Sequence, residues 1–308
     1  MCQGGICLTT LFRKYNDRDQ VRICKFFETL HDCDSEVYGN LKVMWKCMLQ
    51  YPSYPLFHHE ENGIWEVDET IVGVVHLSGP WFGEVNIDIH PNYMELYEEM
   101  LAYAEKRFAG TNREGKRYIR TLTDNSWGKV NEVLMNQNYV QCGTGKLYTL
   151  EVFDFLEEPV IDSAFTVTRL SKVYNFNKLN RLFWKVLNYA GEPPAYDDDV
   201  YLPIKHAWFA YQRENCTVIL GSDGEYAGFC GVWFDERTKS AYIEPLVRDP
   251  KYKNMGLGAI LIYETVQRCK ELGADRIFTV PNEMSLKFYE KTGFCQKVNQ
   301  NYWIKKWN

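Results

Sequence analysis

A worn internal repeat narrows the folds open to this chain more than any other feature. Gly73, in the stretch Gly63–Leu77, stands 155 positions before Gly228, in the stretch Cys216–Trp233. Both stretches alternate apolar and polar residues about a polar tip, the pattern of a β-hairpin, with Ser222-Asp223-Gly224 as the second turn. Next, Ile87-Asp88-Ile89-His90-Pro91-Asn92-Tyr93 matches Leu246-Val247-Arg248-Asp249-Pro250-Lys251-Tyr252 at a spacing of 159. A helical stretch follows each, over 95–107 and 258–270. The second sets Ala259, Ile262, Val266 and Cys269 on one face and stops at Gly273, a residue suited to the left-handed position after a helix. Each half continues with a short strand (118–122; 276–280), an Asn, a short helix ending at Asn138-Tyr139 or Gly293-Phe294, and a closing pair of strands. Similar spacings across all these landmarks predict one module used twice. A length of 308 residues holds two modules of ordinary domain size, about 150 residues each. The acidic, proline-containing stretch Glu157–Ser163 reads as the linker, which places the domains at 1–157 and 164–308.

Composition excludes several classes. Hydrophobic residues at 45% and charged residues at 25% are those of a globular chain, not of a disordered or fibrous one. The net charge of −6, with 35 basic against 41 acidic residues, and the lack of a basic block argue against a nucleic-acid partner. A mildly acidic surface suits a cationic small molecule better. No apolar run approaches the ~20 residues that span a bilayer, and the start has no signal-peptide pattern, so the expectation is a cytoplasmic protein with no membrane partner. The ten cysteines include no CxxC pair and none with His at zinc-ligand spacing. They read as reduced thiols, and the six histidines, His58-His59 among them, form no ligand set, so no metal is expected.

The sharpest chemistry lies in the second half. Lys253-Asn254-Met255-Gly256-Leu257-Gly258 sits between an apolar strand and a helix. Two glycines let the backbone turn tightly and approach a ligand, and a helix N-terminus offers N–H groups to phosphate. The same residues also suit a plain glycine turn. A dinucleotide fingerprint fails because Leu261 takes the third glycine position, and a Walker A loop fails because no Gly-Lys-Ser/Thr follows. Considered in chain order, helices (171–190), hairpin (216–234), strand (241–248), glycine loop, helix, strand and then Asn282…Phe288-Tyr289-Glu290-Lys291-Thr292-Gly293-Phe294, the second half resembles the GNAT superfamily of acyl-CoA-dependent N-acyltransferases. The resemblance rests on the run 246–258 and on Asn282 followed by Phe-Tyr-Glu-Lys-x-Gly-Phe. Where the family's loop normally opens with Arg or Gln, this chain has Lys253, which keeps a cation without the bidentate fork.

The resemblance implies a mixed α/β (α+β) fold of two tandem GNAT-like domains, each a mostly antiparallel sheet flanked by helices. It implies acetyl-CoA as co-substrate, held by Leu246, Val247, Arg248, Lys253, Asn254, Met255, Gly256, Leu257, Gly258 and Asn282, and acetyl transfer to a small-molecule amine by direct attack in a ternary complex. A primary amine has a pKa of about 10.4 and must lose a proton before it attacks a thioester. Glu244, on one face with Leu246 and Arg248 by strand alternation, is a candidate base, and equally an exposed or ion-paired carboxylate. Backbone N–H groups of strand 241–248 can stabilise the thioester oxygen as it gains charge. The resemblance places Tyr289 as proton donor to the departing thiolate; an aromatic that packs the last helix on the sheet is the other reading. Asn282 holds the pantetheine arm or caps the following helix.

The first half lacks this machinery. Met94-Glu95-Leu96-Tyr97 follows Tyr93 with no glycine loop, and Leu134 takes the position of Tyr289, so this half reads as a degenerate copy. The acidic, aromatic stretch 189–201, with Asp197, Asp198 and Asp199, offers charge and cation–π contact to a cationic amine, or is an exposed loop. A non-catalytic acyl-CoA-binding protein is the alternative function. A transferase using aminoacyl-tRNA fits the acidic charge poorly.

Overall fold

The computed structural model describes residues 10–49, 58–79, 81–153, 156–186, 191 and 213–307. The chain forms two compact units, one of Met1–Gly39, Ser53–Lys146 and Val298–Asn308, the other of Asn40–Pro52 and Leu147–Lys297.

The first unit is built on an eight-stranded sheet. β1 (Thr10–Lys14), β2 (Gly63–Val67), β3 (Thr70–Leu77) and β4 (Glu84–Ile89) pair antiparallel in sequence order. After β5 (Gly110–Thr111) comes β6 (Arg117–Asp124), parallel to β4. β7 (Val140–Thr144) lies at the far edge. Among the described residues the unit also holds the helices α1 (Asp19–Cys33), α2 (Ser35–Tyr38), α4 (Tyr97–Phe108) and α5 (Gly128–Asn136). α1 buries Ile23, Phe26, Phe27 and Leu30, and α4 buries Tyr97, Met100, Leu101, Ala104 and Phe108, the three-four spacing of an apolar stripe. The 95–107 helix expected from sequence begins two residues later, because Pro91–Leu96 forms a 3-10 turn.

The second unit has a six-stranded sheet in the order β8-β13-β12-β11-β10-β9. These strands are β8 (Tyr148–Glu151), β9 (Thr166–Arg169), β10 (Thr217–Leu220), β11 (Tyr226–Asp235), β12 (Ser240–Arg248) and β13 (Arg276–Thr279). All pairs are antiparallel except β12 with β13. The parallel pair needs a crossover, supplied by α8 (Leu257–Leu272), which buries Ile262, Val266 and Cys269 and ends at Gly273 with φ +74°, as the sequence predicts. α6 (Leu170–Val173), α7 (Phe176–Val186) and α9 (Leu286–Lys291) belong to this unit. So does α3 (Leu41–Met48), whose Val43 and Cys47 pack with Leu147, Tyr242 and Phe278.

The mixed sheets with flanking helices are the fold class expected from sequence, and the repeat is visible bond by bond. His90 N–H donates to Val72 O and Asp249 N–H to Ala227 O, both at 2.9 Å; Tyr139 N–H donates to Leu134 O and Phe294 N–H to Tyr289 O, at 2.9 and 3.0 Å. Asn138 and Gly293 share a left-handed backbone, φ +64° and +91°. The boundaries 1–157 and 164–308 are corrected. β8 follows the first repeat yet pairs with β13, from Arg276 opposite Glu151 to Thr279 opposite Tyr148. The last strand of the chain, β14 (Gln300–Lys306), lies between β6 and β7. Its Trp303 is buried in the first core and donates through Nε1 to Thr123 Oγ1 at 2.9 Å. Alternation marks a strand but carries no information about which sheet edge receives it.

Candidate active site

β12 and β13 run side by side only from Ser240–Tyr242 opposite Arg276–Phe278. Beyond that point the remainder of β12 borders a cleft of about 810 Å³. Glu244, Leu246, Val247, Arg248, Lys253, Asn254, Gly256, Leu257, Gly258, Asn282 and Tyr289 all line it. Met255 does not; it sits exposed in the same loop. Lining residues that sequence reasoning missed include Pro245, Thr279 and Met284, which carry no motif signal of their own, and Phe288, which enters the sequence argument only as part of the 288–294 run.

The shape of β12 departs from simple alternation. Cys230 pairs with Leu246 and Val232 with Ile243, so Gly231 alone faces both Glu244 and Pro245. One extra residue on β12 makes a bulge, and Pro245, lacking an N–H, is suited to it. Ile243 and Leu246 consequently meet the same core although three positions apart. Alternation therefore does not place Glu244 on one face with Leu246; the bulge sets its position on the cleft.

At the other end of the cleft, Asp249 organises the glycine loop. Its Oδ1 accepts from Lys251 N–H at 2.9 Å and its carbonyl from Tyr252 N–H at 3.0 Å. Asn254 and Gly256 adopt left-handed backbone, φ +66° and +76°, which turns the chain into α8. The first N–H groups of α8 have no acceptor within the helix and carry its positive end. A Cβ on Gly256 would meet nothing within 4 Å, so the cradle is open there. A Cβ on Gly258 would lie 2.9 Å from the Phe288 ring, so this glycine lets α8 and α9 approach. Two cations stand nearby, exposed Lys253 and Arg248, whose Nη1 donates to Asp249 O at 3.0 Å and Pro250 O at 3.4 Å.

Tyr289 lies on α9, buried between the rings of Phe288 and Phe294 at 5.2 and 5.3 Å. Burial pushes its hydroxyl pKa well above the usual tyrosine value. A hydrogen bond with the Thr279 side chain opposes the rise, and Cys230 and Glu244 add to it. Tyr289 thus keeps its proton. Asn282 Oδ1 accepts from Ser285 N–H at 2.9 Å, so Asn282 shapes the turn into α9 while lining the cleft.

The first unit has no such loop. In the matching place α4 opens with buried Tyr97 followed by Glu98 and Glu99, and buried Leu134 sits where the second unit has Tyr289. The stretch 189–201, expected to meet the amine, lies outside the described residues apart from Gly191. The eight described cysteines form no disulfide. Among the described residues no group of three or more His, Cys, Asp or Glu side chains could hold a metal, and no helix is long and apolar enough to cross a membrane.

Residues 176–294 match the model of the Acetyltransferase (GNAT) family. A glucosamine 6-phosphate N-acetyltransferase of Trypanosoma brucei brucei is 40% identical over 53 residues, which is 17% of this chain and 36% of the relative. Among solved structures, a GCN5-related N-acetyltransferase from Sphaerobacter thermophilus superposes with TM-score 0.61 at 11% identity, over 96% of this chain and 95% of that one. A tandem GNAT protein from the clavulanic acid biosynthesis pathway superposes with TM-score 0.60 at 11% identity, over 97% and 98%. The match to the GNAT family model thus falls on residues 176–294 of the chain, and the fold of the whole chain is similar to that of a tandem GNAT protein.

Proposed function

We propose that the second unit transfers an acetyl group from acetyl-CoA to the amine of a small substrate, by direct attack in a ternary complex. The observation that carries this reading is the cleft itself, which has the open glycine cradle and the start of α8 at one end and Glu244 and Tyr289 along its walls. The donor set fits a phosphate-bearing thioester. Unpaired N–H groups at the start of α8, together with Lys253 and Arg248, suit the pyrophosphate, and Leu246, Val247 and Asn282, which line the cleft, would hold the pantetheine arm. Bound acetyl-CoA supplies an activated acyl group.

The chain's own groups do the rest. Glu244 draws the proton from the incoming ammonium, directly or through water, so that nitrogen is free to attack. Tyr289 holds its proton at the hydroxyl and delivers it to the departing sulfur. The apolar walls, Leu257 and Phe288 among them, keep water from competing for the acyl group.

Calorimetric titration with acetyl-CoA and CoA, followed by thiol-release assays over an amine panel, tests the reading. Glucosamine 6-phosphate goes first in the panel because the trypanosome relative is named for it, with cationic amines next. The expected result is acetyl-CoA binding and turnover on at least one amine. Absence of acetyl-CoA binding refutes the proposal, and binding without turnover on any amine leaves the non-catalytic alternative.

A further inference from the structure

We infer that Trp233 is a positioning residue for Glu244, acting through the main chain of the β12 bulge. The inference rests on the proposed role of Glu244 as base. At the bulge, Glu244 and Pro245 together oppose Gly231, which interrupts the regular register around the Glu244 carbonyl. Two features of β11 receive it. A Cβ on Gly231 would collide with the Glu244 carbonyl oxygen, so only glycine leaves room for that oxygen. Trp233, two residues on and so on the same side of β11, donates from its indole Nε1 to the Glu244 oxygen at 3.0 Å.

The donor is itself held firmly. Trp233 is half-buried and packs against Val43, Cys47, Leu147, Tyr242 and Phe278. An indole packed beside α3 on one side and hydrogen-bonded to the bulge on the other ties the Glu244 main chain to that core. The bulge borders the cleft where β13 no longer flanks β12. Bulges re-aim side chains next to active sites, and a misplacement of the order of 1 Å can cost about 100-fold in rate.

The test is steady-state kinetics and acetyl-CoA titration on Trp233→Phe, Glu244→Gln and the double variant, with Gly231→Ala as a second way of moving the same carbonyl. Trp233→Phe keeps an aromatic ring in the packing and deletes the N–H. The expected result is a kcat lower by about ten-fold, with the acetyl-CoA Kd and KM within two-fold of the parent. In the Glu244→Gln background, Trp233→Phe should cost nothing further, since its effect passes through the carboxylate. Gly231→Ala should reproduce the split between kcat and Kd. An unchanged kcat in Trp233→Phe overturns the inference, as does an equal further loss in the Glu244→Gln background. Lost acetyl-CoA binding in both Trp233→Phe and Gly231→Ala overturns it too, because the bond would then hold the cleft as a whole. If Glu244→Gln alone leaves kcat unchanged, the base assignment itself fails, an outcome read from a different variant.

Discussion

Replacing Tyr289 by Phe removes one oxygen from the cleft wall and keeps the ring seated between Phe288 and Phe294. General acid catalysis contributes about 10²–10⁴-fold where a proton must be delivered. The leaving sulfur is a thiol with an ordinary pKa of about 8.5, a fair leaving group unaided, so the loss belongs at the low end, about 10- to 100-fold in kcat. That corresponds to about 1.4–2.7 kcal/mol in the barrier. The change removes the hydroxyl's hydrogen bond with the Thr279 side chain, so folding stability should fall by about 1 kcal/mol. Acetyl-CoA binding should stay within two-fold. The same burial makes a pH prediction. Because burial, Cys230 and Glu244 all raise the Tyr289 pKa above the usual value near 10, the group stays protonated through the working range. The parent's kcat should then show no alkaline fall attributable to this hydroxyl below about pH 10. Initial rates by thiol release, with calorimetric Kd and a melting curve for each variant, separate these effects. A kcat equal to the parent's in Tyr289→Phe would falsify the proton-donor role, and a loss confined to KM would reassign the hydroxyl to binding.

Three further outcomes follow from the structure. Gly256→Val places a β-branched residue at φ +76°, which costs about 1–2 kcal/mol, and it fills the open cradle. It should lower the melting temperature and weaken acetyl-CoA binding in calorimetry while leaving CD-detected secondary structure in place. Asp235 is the pH-sensitive support of α3. Burial alone would raise its carboxyl pKa, but Lys46, the Thr238 N–H and Lys42 outweigh burial and hold it below the usual carboxylate range. A depressed folded pKa gives stability that is fully present above the unfolded value of about 3.9 and is lost as pH falls below it. Melting curves from pH 7 to pH 3 should show that loss in the parent and a smaller one in Asp235→Asn, and parallel curves would refute the coupling. A stop codon after Lys297 removes β14 with buried Trp303. It should cost the first unit at least the roughly 3–5 kcal/mol of a buried Trp deletion, read as a lost or lowered transition in calorimetry, and an unchanged first transition would contradict the strand assignment.

Much of the cleft was legible because its residues are chemically singular. Glycines at 256 and 258 beside Lys253, followed in order by Asn282 and Tyr289, stand out together from ordinary helix or strand filling, and all five line the same cleft. What escaped depended on partners far away in the chain. The bulge exists because Gly231 faces Glu244 and Pro245, and nothing in the run 241–248 shows that its opposite residue is a glycine. Alternation over 148–151 and 300–306 was readable, but the sheet edges that receive those strands were not. Helix α3 carries no motif that names its partner. That it packs against the strand pair bearing Glu244 is a tertiary fact with no local signature.

The exchange of closing strands makes the second sheet depend on a strand encoded beside the first repeat. The second sheet ends in β8, which is encoded immediately after β7 of the first repeat. This strand supports the helix that carries Tyr289. Tyr148 Oη donates to Glu290 Oε1 at 3.2 Å, and Thr149 exchanges backbone bonds with Cys295 at 2.8 and 2.9 Å. Leu150 is buried in the core that also holds Tyr289 and Phe294, and its Cδ1 lies close enough to the left-handed turn at Gly293 that an added Cβ there would sit 3.1 Å away. Tyr97 and Leu134 fill the interior of the first unit, while the strand encoded just after its repeat completes the sheet of the second. A domain cut at residue 164 would carry the glycine loop, Glu244 and Tyr289 but would leave β13 without its edge partner and α9 without Tyr148, Thr149 and Leu150.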